Sequence, residues 1–293
     1  MKPAPFTLHR PTTVPEAASL LAEHGDEAKP LAGGQSLVPM LALRLTRFEH
    51  LVDLNGVAEL RTITTGDGAL RIGAGVRQAT VGRDPLIACE AALLARATPL
   101  IGHFQVRNRG TIGGSIAHAD PASEYPAVAL ALDAAVELTS ARGSRHVAGA
   151  DFFTGTWMTV AEADELLTAV VVPRVTGARR GVAIEEVARR HGDFALAGAT
   201  AVIDLDASDR VRHAAIAMFG MGSTPVRAPV AEQALVHYTR SEVELADVAR
   251  LAVRDTEPPD DVHASAAYRT RVGAHLVERA LTRAFEEATS AAR

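Results

Sequence analysis

The stretch Asn108-Arg109-Gly110-Thr111-Ile112-Gly113-Gly114-Ser115-Ile116-Ala117-His118-Ala119-Asp120 carries two adjacent glycines, followed by small residues. A glycine doublet leaves backbone N–H groups uncovered, so that a ligand can lie directly against the main chain. A second doublet lies upstream, in Leu31-Ala32-Gly33-Gly34-Gln35-Ser36. Both doublets follow apolar, strand-like runs and both lead to a serine. We therefore expect two strand ends that hold one large anionic ligand between them.

Strands and helices alternate over roughly the first 55 residues, as in βαβ units. Thr13 is placed to cap a helix and Glu16 to close a capping box. A further helix is expected from Ser36 to Leu45. The predicted strands are 6–8, 28–32 and 50–54.

The pattern changes after residue 60. A hairpin is expected around Gly66-Asp67-Gly68. Helices are expected at 86–97 and 124–132, and strands at 135–140 and 166–172. Beyond a linker at 175–178, strands near 181–187, 200–205 and 211–218 precede helices near 241–254 and 264–288. These patterns predict three α+β regions, at 1–56, 57–175 and 179–290.

Composition excludes several classes of protein. The 293 residues have a net charge of −5, which offers no electrostatic basis for binding nucleic acid. No apolar run approaches the ~20 residues of a membrane span, and the N-terminus begins no secretory signal. A single cysteine, Cys89, excludes an iron–sulfur cluster held by this chain alone. We therefore expect a cytoplasmic protein without stable membrane insertion.

The doublets suit a flavin dinucleotide, whose diphosphate requires several N–H donors in a concave array. The backbone N–H donors would come from residues 32–36 and 111–115. The Ser36 hydroxyl, at the start of a helix, would be an additional donor. Asp120 or Glu124 could accept a ribose or ribityl hydroxyl. Neither the Gly-x-Gly-x-x-Gly fingerprint nor a Walker loop is present, which argues against a Rossmann dehydrogenase or an NTPase. A single glycine doublet, however, more often marks a tight turn.

Several segments together resemble the FAD-binding medium subunits of molybdenum hydroxylases, the family of the carbon monoxide dehydrogenase medium chain and the xanthine dehydrogenase flavin domain. The resemblance covers nearly the whole chain. It rests on Phe6, Pro11 and Glu16-Ala17; on 31–39, 52–54, 105–115 and 117–124; and on Arg189-Arg190-His191-Gly192-Asp193-Phe194-Ala195 and Tyr268-Arg269.

The resemblance implies a fold and a site. The fold is the α+β vanillyl-alcohol-oxidase-type FAD-binding fold of two subdomains, followed by a C-terminal α+β domain. Gln35 stands where some related oxidases carry a flavin-linked histidine, so non-covalent FAD is expected. No catalytic or metal-binding residue is assigned. The cofactor-binding set is Ala32, Gly33, Gly34, Gln35, Ser36, Leu37, Thr111, Ile112, Gly113, Gly114, Ser115, Ala117, Asp120, Glu124, Leu167 and Asp193.

The resemblance also implies partners. A molybdopterin large subunit oxidises the substrate, a 2Fe–2S small subunit relays electrons, and the flavin subunit passes them to an acceptor. The assembly would be a heterotrimer or a dimer of heterotrimers, with molybdopterin and iron–sulfur clusters only on the partners. The lone cysteine agrees with this division of cofactors.

One departure and two alternatives stay open. Family members often carry a lysine just before the 189–194 stretch, where this chain has Glu185-Glu186. That difference leaves the flavin potential and the acceptor (quinone, NAD or oxygen) open, and the substrate would be bound by the large subunit. A self-sufficient FAD-dependent oxidase or reductase of the same fold, or a nucleotide-binding scaffold without redox work, would also fit the two doublets.

Overall fold

A computed structural model describes residues 2–175 and 179–290. The first sheet is parallel, in the strand order β1-β3-β2. Helix α1 packs Ala17 and Leu21 against Val52 of the central strand. The elements are β1 (Thr7–His9), α1 (Val14–His24), β2 (Ala28–Leu31), α2 (Leu37–Ala42) and β3 (His50–Asp53).

Two local predictions in this region need correction. Thr13 caps α1 by accepting from the Glu16 amide, as predicted, but the Glu16 carboxylate accepts from the Thr12 amide, so only half of the capping box forms. Helix α2 is shorter than predicted. It ends at Ala42, since Arg44 enters the left-handed region with φ 57°.

The second sheet is antiparallel, in the order β4-β5-β10-β6-β7. Its β4–β5 hairpin matches the prediction. The strands are β4 (Ile63–Gly66), β5 (Ala69–Gly73), β6 (Ala135–Ser140), β7 (Gly143–Ala148) and β10 (Leu166–Pro173), beside a small pair, β8 (Phe153–Gly155) and β9 (Met158–Thr159).

Seven short helices cover this sheet and its edges: α3 (Gln78–Val81), α4 (Pro85–Glu90), α5 (Ala92–Ala97), α6 (Phe104–Arg109), α7 (Ile112–His118), α8 (Glu124–Ala131) and α9 (Gly149–Phe152). The helix predicted at 86–97 is broken into α4 and α5. Ala91 leaves the helical region there, with φ −142° and ψ 52°, and both halves bury apolar side chains.

The second glycine doublet was expected at the end of a strand, and this expectation is wrong. Gly113 and Gly114 lie in the first turn of α7, and the Thr111 side chain caps that helix by accepting from the Gly114 amide at 3.0 Å. Thr111 is a good N-cap residue, which explains why a helix begins directly at two residues of low helix propensity.

The last part of the chain forms an antiparallel sheet in the order β11-β12-β13-β14, covered by helices. The long helix α12 packs closely on β11, with backbone atoms of Ala284 against Gly181. The elements are β11 (Arg179–Val187), β12 (Ala197–Leu205), β13 (Val211–Phe219), β14 (Val226–Arg227), α10 (Pro229–Gln233), α11 (Leu245–Val253) and α12 (Ala266–Ser290).

The linker predicted at 175–178 falls mostly on residues 176–178, which lie outside the described residues. Within the described ranges, no helix combines the length and the apolar character that crossing a membrane demands.

Candidate ligand-binding site

The two glycine-containing segments meet in the structure. A Cβ atom added at Gly33 would lie 2.7 Å from the Gly110 Cα and closer still to the Arg109 carbonyl oxygen. A Cβ added at Gly114 would lie 3.6 Å from the Cβ of Ala32. The segment after β2 therefore lies directly on the α6–α7 junction, and the expected convergence of the two doublets is observed.

The first segment presents a row of unpaired backbone donors. The amides from Gly33 to Leu37 donate to no acceptor in the part of the chain that the structure describes. Gly34 adopts φ 71°, a left-handed conformation that turns successive N–H groups toward one side and favours glycine. The row borders a cavity of about 380 Å³, which is lined by Leu31, Ala32, Gly33, Gly34, Gln35, Val38, Pro39, Asp53, Asn55 and Arg109. Such a concave array of donors suits an anion.

Arg109 lines the same cavity, and Arg77 binds two of the lining residues. Burial, and then repulsion from Arg109 and Arg61, lower the pKa of Arg77, while Asp53 opposes the shift. Arg77 donates to Asn55 Oδ1 at 2.6 Å and to the Arg109 carbonyl oxygen, so it fixes the cavity wall. An anion bound here would relieve the repulsion between guanidinium groups.

The second segment supplies fewer donors than predicted. The amides of Ile112 and Gly113 donate to the carbonyl oxygens of Val76 and Ala74, and those of Gly114 and Ser115 donate to Thr111. The donor role predicted for these four amides is therefore wrong in this structure. Of the five amides from Thr111 to Ser115, only that of Thr111 has no acceptor among the described residues.

Gly113 serves internal packing rather than the approach of a ligand. It is buried, and a Cβ there would lie 2.7 Å from the Ala74 Cα. Gly114 is half-buried and faces Ala32 and the Thr111 hydroxyl. Of the second doublet, Gly114 is the member that borders the first segment.

Asp120 and Glu124 lie in different environments. The Asp120 carboxylate accepts from the Ala122 amide at 2.9 Å and from the Trp157 indole at 3.1 Å. Burial raises the pKa of Glu124 to about 8, with Glu186 and Asp120 adding to the shift. Glu124 is therefore mostly protonated at pH 7 and can donate a hydrogen bond, whereas the sequence suggested only an acceptor.

The adjacent residues Glu185 and Glu186 point to opposite faces of β11. Glu185 forms ion pairs with Arg279 at 3.1 Å and with Arg283, both on α12. Glu186 faces the Glu124 side. Burial raises its pKa to about 7, and its Oε2 is buried without a partner among the described residues. Glu186, and not Glu185, therefore lies on the side where the family resemblance leads us to expect a lysine.

The remaining predicted residues lie around this region rather than in the cavity wall. Leu167 is buried in β10, in the same core as Ile112. Ala117 is an exposed residue of α7. Asp193 pairs with Arg190 at 3.2 Å, which lowers its pKa, and His103, which precedes α6, lies nearby. His103 and Arg109 lie at opposite ends of α6, about 9 Å apart along the helix axis. Asp193 therefore lies away from the cavity wall.

The cavity also contains residues that sequence reasoning missed. Asp53 was treated as part of a strand and Arg109 as part of a motif, and neither they nor Asn55 were assigned to the site. Arg77, which binds Asn55 and the Arg109 carbonyl oxygen, was also not assigned. A signal was available for Asp53 and Asn55. Asp53 ends β3 and Asn55 follows it. The carboxyl end of β3 lies beside that of β2, and ligands in parallel sheets bind outside these ends.

Comparison with known protein families agrees with this geometry. A family model described as FAD binding domain in molybdopterin dehydrogenase matches residues 4–175, and one described as CO dehydrogenase flavoprotein C-terminal domain matches residues 182–284. The 6-hydroxypseudooxynicotine dehydrogenase complex subunit alpha of Paenarthrobacter nicotinovorans is 41% identical over 98% of this chain and 97% of its own length.

The carbon monoxide dehydrogenase medium chain of Hydrogenophaga pseudoflava is 38% identical, over 97% of this chain and 99% of that relative. A solved structure of carbon monoxide dehydrogenase from that organism, which lacks the Mo-pyranopterin moiety of its cofactor, superposes with a TM-score of 0.93 at 38% identity. The superposition covers 98% of this chain and 99% of the matched chain.

The fold and the cleft define an oxidoreductase flavoprotein with the α+β, vanillyl-alcohol-oxidase-type FAD-binding fold, which confirms the predicted fold class. The chain belongs to the family of FAD-binding medium subunits of the carbon monoxide dehydrogenase and xanthine dehydrogenase type. The resemblance inferred from the sequence is therefore confirmed.

Proposed function

We propose that this chain is the electron-transfer subunit of a molybdenum hydroxylase complex. It takes electrons from a 2Fe–2S partner subunit and passes them to an external acceptor. The observation that carries this proposal is the row of unpaired amides from Gly33 to Leu37, whose first three residues line a cavity together with Arg109. Bound FAD would supply a carrier that accepts single electrons from the cluster and releases them singly or as a pair to the acceptor.

The residues of the cleft fit a diphosphate. The amides from Gly33 to Leu37 would donate to its oxygens, and the Ser36 hydroxyl, at the N-cap of α2, would add a donor. Arg109 would contribute positive charge from the cavity wall. On the other side, the Thr111 amide and the Ser115 hydroxyl are the groups of the second segment that remain for contact.

The protonated carboxyl of Glu124 would act as a hydrogen-bond donor near the bound cofactor. Its burial and its neighbour Glu186 keep it neutral at pH 7. Asp120 remains an acceptor, held in position by Trp157. Asp193 and Leu167 would border the cofactor away from the diphosphate.

We further propose that FAD is bound without a covalent link and that three regions, 1–56, 57–175 and 179–290, form the clasp and the C-terminal domain. Gln35 carries an amide that donates to the Gly33 carbonyl oxygen at 3.2 Å. A carboxamide is not a nucleophile of the kind that forms a stable flavin bond. Its contact to Gly33 supports the shape of the loop instead.

The proposed partners are an iron–sulfur small subunit and a molybdopterin large subunit, in a heterotrimer or a dimer of heterotrimers. The names of the relatives, "medium chain" and "complex subunit", support an assembly of several chains. This chain has a single cysteine, Cys89, so cysteine ligands for a cluster must come from another chain.

The alternative, a self-sufficient oxidase, requires a substrate pocket with its own base. A cavity of about 820 Å³ does lie between α10 and α11. Its carboxylates are already engaged, however. Glu242 accepts from the Thr239 amide and pairs with Arg210, Glu244 caps α11, and Asp247 pairs with Arg250. The three carboxylates are thus already held in ion pairs or helix caps, which favours the electron-transfer proposal.

Reconstitution and reduction test the proposal. The purified chain, mixed with FAD and desalted, should retain one flavin per chain, bleach with dithionite, and release the flavin on denaturation. Addition of the reduced iron–sulfur partner should bleach the flavin without any organic substrate. Absence of flavin absorbance after desalting would refute the cofactor assignment, and turnover of an organic substrate by this chain alone would refute the electron-transfer assignment.

A pair of arginine variants locates the site. Arg109→Gln removes a charge from the cavity wall and should raise the Kd for FAD about tenfold, the equivalent of about 1.4 kcal/mol. Arg83→Gln, an exposed position outside the cavity lining, is the matched control and should leave Kd unchanged. Equal Kd values for the two variants would contradict the placement of the diphosphate.

A further inference from the structure

Three histidine rings converge on one face of the first sheet. His9 Nε2 and His50 Nδ1 lie 2.9 Å apart, and the rings of His24 and His50 stack with centroids 3.8 Å apart. One ring nitrogen from each of the three residues lies within 4.8 Å of the others. All three side chains are half-buried.

The fold itself produces this convergence. Side chains alternate between the faces of a strand, so His50 and Val52 share one face of β3. Strand β1 pairs in parallel with β3, with Thr7 opposite His50 and His9 opposite Val52, so His9 lies on the same face. Helix α1 packs on that face through Ala17 and Leu21, and His24, one turn beyond Leu21, falls over His50.

We propose that His9, His24 and His50 form a binding site for a divalent transition-metal cation of the zinc type. Imidazole is a preferred ligand of zinc, copper and nickel, and zinc–nitrogen distances of about 2.0–2.1 Å place ligand nitrogens roughly 3.3 Å apart in a tetrahedral site. The His9 and His50 nitrogens, 2.9 Å apart, lie slightly closer than that, and the whole set lies within 4.8 Å. A tilt of the His24 ring out of its stack on His50 would therefore complete a three-nitrogen set.

The surroundings favour a cation, because carboxylates lie beside the rings. The carboxylates of Glu27 and Glu49 lie within 4.8 Å of a nitrogen of His50, and Glu23 lies near His9. Such carboxylates serve as a fourth ligand or as hydrogen-bond partners that orient ligand rings.

This site is distinct from the flavin cleft. Asp53, which lines the cleft, follows His50 on β3 by three residues and therefore points to the opposite face of the strand. A bound cation would join β1, α1 and β3, and so it would stabilise the sheet from which the flavin-binding segment extends.

Cobalt and zinc titrations test the site. The FAD-loaded full chain, prepared without an affinity tag and stripped with a chelator, is titrated with cobalt(II) and then with zinc chloride. We expect one cobalt per chain, with visible absorption bands of a nitrogen-coordinated ion that zinc abolishes, and a rise of Tm with zinc. The variant His24→Ala should lose more than about tenfold in affinity, the smallest loss typical of altered metal surroundings.

His275→Ala provides the control, since His275 is exposed on α12 and lies outside this cluster. It should bind both metals like the wild type, and flavin content should be the same in all three proteins. No cobalt bands in the wild type, or equal zinc affinity in His24→Ala and the wild type, would show that the rings only stack and would overturn the proposal. A second variant, His50→Asn, should behave like His24→Ala.

Discussion

The contact between Gly33 and the α6–α7 junction is the most sensitive point of the proposed cleft, and Gly33→Ala tests it. The new Cβ would lie 2.7 Å from the Gly110 Cα, about 0.7 Å short of the 3.4 Å at which ordinary contact begins. The three nearest atoms it would meet belong to the backbone of Arg109 and Gly110, so rotation of a side chain cannot relieve the clash. The two segments must separate.

Overpacking of this kind costs about 1–3 kcal/mol. A loss of that size should lower Tm by about 2–4 °C per kcal/mol in a protein of this size class. The effect on FAD should be larger than the effect on stability, since the separation moves the amides of 33–37 away from Arg109. We expect Gly33→Ala to fold but to lose flavin on desalting.

The assay compares the flavin-to-protein ratio after desalting with Tm from circular dichroism. Gly66→Ala is the matched control. Gly66 lies in the β4–β5 hairpin, a Cβ there would meet nothing within 4 Å, and its φ is not positive. Retention of flavin by Gly33→Ala at the wild-type ratio and affinity would refute the inferred cleft.

Three further predictions concern other positions. Gly114→Val should lower flavin retention and also Tm, because its Cβ would lie 2.9 Å from the Thr111 hydroxyl that caps α7; an unchanged Tm would contradict the capping role. Glu124→Gln should flatten the pH dependence of stability. The folded-state pKa of Glu124 is raised from 4.5 to about 8, so the folded protein keeps a proton that the unfolded chain releases, and stability falls as pH rises through that window by up to about 1.4 kcal/mol per unit. Urea unfolding between about pH 5 and pH 8 should show the flatter slope, and an identical slope in variant and wild type would argue against a neutral buried carboxyl. Arg269→Met should cost about 1–3 kcal/mol, since the buried Arg269 donates to the Leu196 carbonyl oxygen and pairs with the exposed Asp261 carboxylate at 2.8 Å. A loss below about 0.5 kcal/mol in chemical unfolding would show that these contacts are dispensable.

Much of the secondary structure followed from local signals. The cap at Thr13, the hairpin around Gly66-Asp67-Gly68 and the final strands and helices lie close to the predicted positions. Errors arose where a local pattern had two physical solutions. Residues 112–118 contain two glycines and small side chains, which suit a loop, yet a strong cap at Thr111 and packing on Ala74 stabilise a helix.

The same distinction applies to the site. The sequence indicated that two glycine doublets would meet, and the structure brings Gly33 onto Gly110 and Gly114 toward Ala32. Which amides remain unpaired could not be predicted, since the acceptors for Ile112 and Gly113 come from Val76 and Ala74, more than thirty residues upstream.

The sequence by itself determined the class of this protein, because glycine doublets, strand alternation and a lone cysteine are properties of residue type and order. Only the tertiary structure decided which glycines serve packing and which border a cavity, that Arg77 and Arg109 approach the first segment, and that Glu124 is neutral. Burial and the proximity of charges depend on segments that the chain brings together only when it folds, so no local pattern contains them.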